Sequence, residues 1–135
     1  MPAALAISLG DPAGVGPELI AAAWARRTQD GLPPFFAVGG ADLLALASRR
    51  RGLDIPIRLI HDQRDAAERF ANALPVLGDA DCAYRPGAPD PDGARFALQS
   101  LTEATRLAAR GGAAGLVTAP IAKARLAEVG FDHPG

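Results

Sequence analysis

Two hydrophobic periods alternate along this chain. Short apolar runs at residues 3–9, 35–38, 55–60 and 114–118 read as buried strands. Between them, apolar residues recur every three or four positions, which predicts helices. A helix over 17–27 places Leu19, Ile20, Ala23 and Trp24 on one face, and Pro17 suits its first position. A second, over 41–51, carries Leu43, Leu44, Leu46 and Ala47 as its stripe and stops at Gly52. The strongest pattern, over 93–110, repeats Ala94, Ala97, Leu98, Leu101, Ala104 and Ala108 before Gly111 and Gly112. Pro120 opens a further helix over 120–129, stopped by Gly130. The polar stretch 61–74 suits at most a short helix around 66–73. Residues 74–92, rich in Pro, Gly and Asp, predict a long loop with one short strand near Cys82 and Tyr84.

Strand and helix alternating over short connections predict an α/β fold, a parallel sheet with helices on both faces. The length of 135 residues suits one domain, and 49% apolar residues with only 5% aromatics imply a core of small and branched aliphatics. A net charge of −1, from 14 basic and 15 acidic residues, gives no footprint for nucleic acid. Arg49, Arg50 and Arg51 end the second helix, where its negative pole accounts for them. The single Cys82 excludes an intrachain disulfide and forms no zinc pattern. No apolar run is long enough to span a bilayer, and the first residues lack the features of a signal peptide. No membrane partner and a cytoplasmic location are therefore expected.

The candidate chemistry begins at GDPAGVGPE, residues 10–18, between the first strand and the first helix. Glycine there permits positive φ and close approach to a ligand. The helix that follows offers free amides and a partial positive charge, which favour an anion. The same spacing also suits a tight strand-to-helix turn with no ligand. It matches neither G-x-G-x-x-G nor the phosphate loop, since Pro17 and Glu18 follow Gly16. The second candidate follows the last strand: Thr118 offers a hydroxyl and Lys123, the only lysine, a cation. Ligands of open α/β sheets bind outside the carboxyl ends of the strands, where both segments fall. If those two strands are neighbours, Asp11, Thr118 and Lys123 line one crevice. His61 and His133 are too few for a three-histidine metal site, and His61 reads as exposed. No G-x-S-x-G supports a serine hydrolase.

The 10–18 motif resembles the opening of the 4-hydroxythreonine-4-phosphate dehydrogenase family (PdxA type), enzymes of pyridoxal-phosphate synthesis. LVTAPIAK at 116–123 is similar to that family's V-T-x-P-I-N-K, with Ala122 where Asn is usual. GFDHPG at 130–135 resembles the run that leads into the family's His-Thr pair, which would begin at the next residue. Pro86, Gly87, Asp92, Gly93 and the long helix also follow the family order.

The resemblance implies the N-terminal part of an isocitrate/isopropylmalate-dehydrogenase-like fold. Residues 1–135 would be the N-terminal α/β segment of a two-domain enzyme whose remainder is absent. The implied activity is NAD-dependent, metal-assisted oxidation and decarboxylation of 4-phosphooxy-L-threonine by a homodimer. Gly10, Asp11, Gly14 and Gly16 would face the cofactor, and Thr118 and Lys123 the phosphorylated hydroxy-acid. The ligands of the divalent metal would lie outside this segment, so the segment alone is expected to be inactive. Two alternatives remain open at this point. One is a family relative acting on 4-phospho-D-threonate or 4-phospho-D-erythronate; the other is a non-catalytic α/β fragment.

Overall fold

The computed structural model describes residues 3–120. Five parallel strands form one sheet: β1 (Leu5–Ser8), β2 (Phe35–Val38), β3 (Ile57–Ile60), β4 (Leu74–Leu77) and β5 (Leu116–Thr118). They lie in the order β3-β4-β2-β1-β5. The helices are α1 (Gly16–Ala25), α2 (Ala41–Arg50), α3 (Ala66–Arg69, after a single 3-10 turn) and α4 (Pro91–Ala109). The chain steps one way across the sheet from β1 to β2 and on towards β3. It steps the other way through α4 to β5. With one handedness of crossover, that reversal puts α4 on the opposite face from α1 and α2.

Side-chain alternation along the strands builds a core on each face. Ile7 of β1 and Leu9 just after it, with Phe35 and Ala37 of β2, pack against Ile20 and Trp24 of α1 and Leu43 and Leu44 of α2. Their neighbours Ala6, Phe36 and Val38 pack against Ala104 and Leu107 of α4. The small residues Ala4, Ala6 and Ala104 let α4 lie close to the sheet. Trp24 donates its indole N–H to the Phe70 carbonyl at 3.0 Å, so the large ring is buried without an orphan donor.

The sequence reading and the structure differ most at residues 74–92. The predicted strand near Cys82 and Tyr84 is absent, and the strand of this region is β4, inside the sheet. Pro75 obscures it in the sequence, because proline cannot donate to a ladder. The backbone resolves the conflict. Leu74 and Gly78 donate to the β3 side, to the Pro56 and Ile60 carbonyls. By alternation the Pro75 nitrogen faces β2, whose pairing with β4 begins only at Ala37 and Val76. No ladder donor is needed there.

Smaller differences are at the ends. Gly16 rather than Pro17 opens α1, and α1 stops at Ala25. α4 starts two residues early because Pro91 occupies its first turn and Asp90 accepts from the Gly93 amide at 2.7 Å. The predicted helix at 120–129 lies outside the described residues beyond Pro120, as do Lys123 and His133.

Candidate functional site

The order of strands fixes where a ligand can approach. From β1 the chain leaves for β2 on one side, while β5 arrives on the other, so the switch point of the sheet lies between β1 and β5. Ser8 and Thr118 are register partners at that point. The loop at 10–16 follows β1 directly, and Thr118, Ala119 and Pro120 close β5. The structure therefore brings the two sequence motifs together, as far as Pro120.

The loop is held by its own chain. Ala119 donates to the Ser8 carbonyl at 3.1 Å and Asp11 donates to the Pro120 carbonyl at 3.3 Å. Asp11 is nearly buried, and its Oδ1 accepts from the Ala13 amide at 2.9 Å while its carbonyl accepts from Gly14. That is an Asx turn, so one carboxylate oxygen of Asp11 shapes the loop. Gly10 has φ +72°, and a Cβ there would lie 2.3 Å from the Pro120 carbonyl oxygen. A Cβ at Gly16 would lie 2.4 Å from the Leu9 carbonyl oxygen. Both glycines are thus demanded by contact between backbones. Gly14 differs: an added Cβ would meet only Asp11 atoms, at 3.4 Å or more.

Among the described residues three long helices start at this carboxyl edge, and their first amides are treated differently. Asp90 caps α4. The carboxylate of Asp81 accepts from the Asp42 and Leu43 amides of α2, at 2.9 and 3.2 Å, across the loop that follows β4. Among the described residues no side chain caps α1. Val15, just before the helix, is exposed while Gly16 and Pro17 are buried, and the positive pole of α1 lies at this end with no described side chain bonded to its amides.

On the α1 side of the crevice, Gly16, Leu19, Ile20, Val117 and Thr118 border a mainly apolar hollow of about 240 Å³. Thr118 is exposed at its rim. A larger hollow, about 440 Å³, opens beyond the ends of β2 and β4, beside Gly39, Asp79 and Phe96. Of the sequence-predicted site residues that are described, Gly10, Asp11, Gly14, Gly16 and Thr118, none lines it. His61 is exposed and pairs with exposed Asp79 at 3.2 Å. Arg50, at the end of α2, lies 3.7 Å from Glu18. Burial, reinforced by the Asp90 carboxylate, pushes the Cys82 thiol above its usual range, which opposes a nucleophilic role. No group of three His, Cys, Asp or Glu among the described residues is placed to hold a metal.

Sequence reasoning missed Asp81 and Ser100. Asp81 caps a helix through an amide 39 positions earlier in the chain, and nothing local announces it. Ser100 is a buried polar residue on the apolar side of α4, a signal that was there to be read.

A comparison with known families decides the kinship. Residues 32–135 match the model of the family described as pyridoxal phosphate biosynthetic protein PdxA. The chain belongs to this family. Among curated PdxA relatives, the 4-hydroxythreonine-4-phosphate dehydrogenase of Erythrobacter litoralis is 55% identical over 131 residues, covering 97% of this chain and 39% of its own length. That of Caulobacter vibrioides is 46% identical over 134 residues, with 97% and 38% covered. The chain thus spans about two fifths of the length of the PdxA relatives it matches. A solved 4-hydroxythreonine-4-phosphate dehydrogenase from Klebsiella pneumoniae superposes with a TM-score of 0.83 at 29% identity, covering 98% of this chain and 42% of the other. The glycine loop at 10–16 precedes the matched family segment, but the alignments with the relatives take in nearly the whole chain.

Proposed function

We propose that residues 1–135 are the N-terminal α/β segment of a two-domain, NAD-dependent dehydrogenase that oxidises and decarboxylates 4-phosphooxy-L-threonine for pyridoxal-phosphate synthesis. The observation that carries this reading is the 10–16 loop beside β5 at the switch point, with the α1 amides uncapped, in a chain of the PdxA family. A dinucleotide brings a diphosphate, which suits an open helix N-terminus reached over a glycine loop. NAD bound there would supply the hydride acceptor for the carbinol carbon of the substrate.

Gly10 and Gly16 let the loop lie against β5, Asp11 sets its turn, and Gly14 presents the face towards the cofactor. Thr118, and Lys123 beyond it, face the carboxylate and phosphate of the hydroxy-acid. Oxidation gives a β-keto acid, from which carbon dioxide leaves readily. The described residues offer no ligand set for the divalent metal that the resemblance implies. The whole enzyme is proposed to be a cytoplasmic homodimer. Ala122, where the family usually has Asn, favours a second reading in which the substrate is 4-phospho-D-threonate or 4-phospho-D-erythronate.

The test uses the full-length enzyme with NAD, a divalent metal and each of the three phosphorylated acids, followed at the absorbance of the reduced cofactor. The proposal expects turnover to be fastest with 4-phosphooxy-L-threonine. Lys123→Ala should raise KM for the acid by on the order of ten- to a hundredfold, as loss of a charge-assisted contact does, and leave that for NAD little changed. No reduction of NAD with any of the acids would overturn the reading.

A further inference from the structure

Ser100 interrupts the ladder between β1 and β2, just where the glycine loop begins. Leu5 donates to the Pro34 carbonyl, and Leu5, Ala6 and Ile7 pair with Phe35, Phe36 and Ala37. In a parallel ladder each second residue repeats that step. The Leu9 amide should therefore donate to the Val38 carbonyl. Instead it donates to Ser100 Oγ at 3.1 Å, and the same hydroxyl donates to the Val38 carbonyl at 2.8 Å. Ser100 is almost fully buried, at the edge of the hollow beside Gly39 and Phe96. One hydroxyl on α4 thus stands inside the last rung of the ladder and bridges the two strands. Gly10 follows Leu9, and Gly39 and Gly40 follow Val38.

We infer that Ser100 is a positioning residue: its hydroxyl holds the carboxyl ends of β1 and β2 apart and so sets the direction in which the 10–16 loop leaves the sheet towards the cofactor. This rests on the reading that the loop takes NAD. A side chain that only fastened α4 would be needed for stability alone. A wedge is different, because without it the Leu9 amide and Val38 carbonyl can bond directly. The fold then keeps its stability while the loop moves.

The experiment uses the full-length enzyme and measures NAD affinity by calorimetry, thermal unfolding, and the KM of NAD and of the acid. Ser100→Ala should weaken NAD binding about fivefold or more, with the unfolding midpoint within a few degrees of wild type. KM for the acid should change much less than that for NAD, and Ser100→Thr, which keeps the hydroxyl, should recover NAD affinity. If Ser100→Ala does not fold, Ser100→Cys takes its place. Its thiol is a poor substitute in both bonds, so NAD affinity should again fall. Unchanged NAD affinity in the folded Ala or Cys variant, or an equal loss for NAD and acid with a large fall in the midpoint, would overturn the inference. Gly14→Val separates the two layers. If it leaves NAD affinity unchanged, the loop is not the cofactor site, and the Ser100 inference falls with it. If it weakens NAD and Ser100→Ala does not, only the wedge is wrong.

Discussion

The N-termini of α1 and α2 begin alike and end up in opposite states. Each follows a parallel strand and a turn with two or three glycines at the carboxyl edge of the sheet. At α2, Gly40 takes φ +87° and has no side chain to cap with. Asp81 reaches over from the loop after β4 and binds two amides. The anion site of that helix is occupied by the protein itself. At α1, Asp11, the carboxylate that precedes the helix, is turned into its own loop, Glu18 of the first turn lies beside Arg50, and no described side chain is bonded to the helix amides. A glycine turn before a helix is therefore a poor guide to ligand binding on its own. What distinguishes the two is whether the fold has already supplied the anion.

The comparison can be broken most severely at the glycines beneath α1. Gly10→Ala puts a Cβ within 2.3 Å of the Pro120 carbonyl oxygen after β5, and Gly16→Ala puts one within 2.4 Å of the Leu9 carbonyl oxygen after β1 and 3.0 Å from the Ala119 Cβ. Neither carbonyl can move without shifting a strand end, so each variant should lose several kcal/mol of stability, roughly the top of the range for single substitutions. Gly14→Ala, with its contacts at 3.4 Å or more, should unfold within a few degrees of wild type. Denaturant unfolding of the full-length variants checks the ranking, and equal losses at all three positions would show that the loop does not press on β5 as described.

A smaller effect is expected at the other helix. Asp81→Ala leaves the first amides of α2 without their partner and should destabilise by about 1 kcal/mol, as lost caps do. Asp81→Asn should retain part of that, since one amide oxygen can still accept. NAD binding should not respond to either, because α2 is not the ligand's helix. A change in NAD affinity with Asp81→Ala would place the cofactor at the wrong N-terminus in this account.

The smallest effect is a matter of pH. The Arg64 guanidinium and amide hold the Asp62 carboxyl down to about 2, from an ordinary value near 3.8. A depressed carboxyl contributes stability above its unfolded value and loses it as the pH falls towards 2. Both groups are at the surface, so Asp62→Asn should barely alter stability at neutral pH and only flatten its decline between about pH 4 and 2.

The parts of this fold that sequence periodicity reveals are those whose cause is local. Strand β1, the stripes of α1 and α2, and the long α4 follow from the spacing of apolar residues. The adjacency of β1 and β5 was only a condition in the sequence; the reversal of chain direction through α4 makes it a fact of the sheet. β4 was hidden because Pro75 carries a local penalty that vanishes only once its neighbours are known. Asp81 and Ser100 act across 39 and 91 positions, and no window of sequence contains both partners. The roles given to Gly14, Thr118 and Lys123 concern contacts with ligands, which the chain's own packing does not determine.

The central claim is that the α1 N-terminus is the open anion site. The most direct measurement is calorimetric titration of NAD into full-length Val15→Asp and Val15→Asn. Val15 is exposed, and the two side chains differ in charge but hardly in shape. The account predicts that Asp weakens NAD binding by on the order of tenfold relative to Asn, through repulsion of the diphosphate, and that the gap narrows as salt is raised. Equal affinities for the two variants at low salt would contradict it.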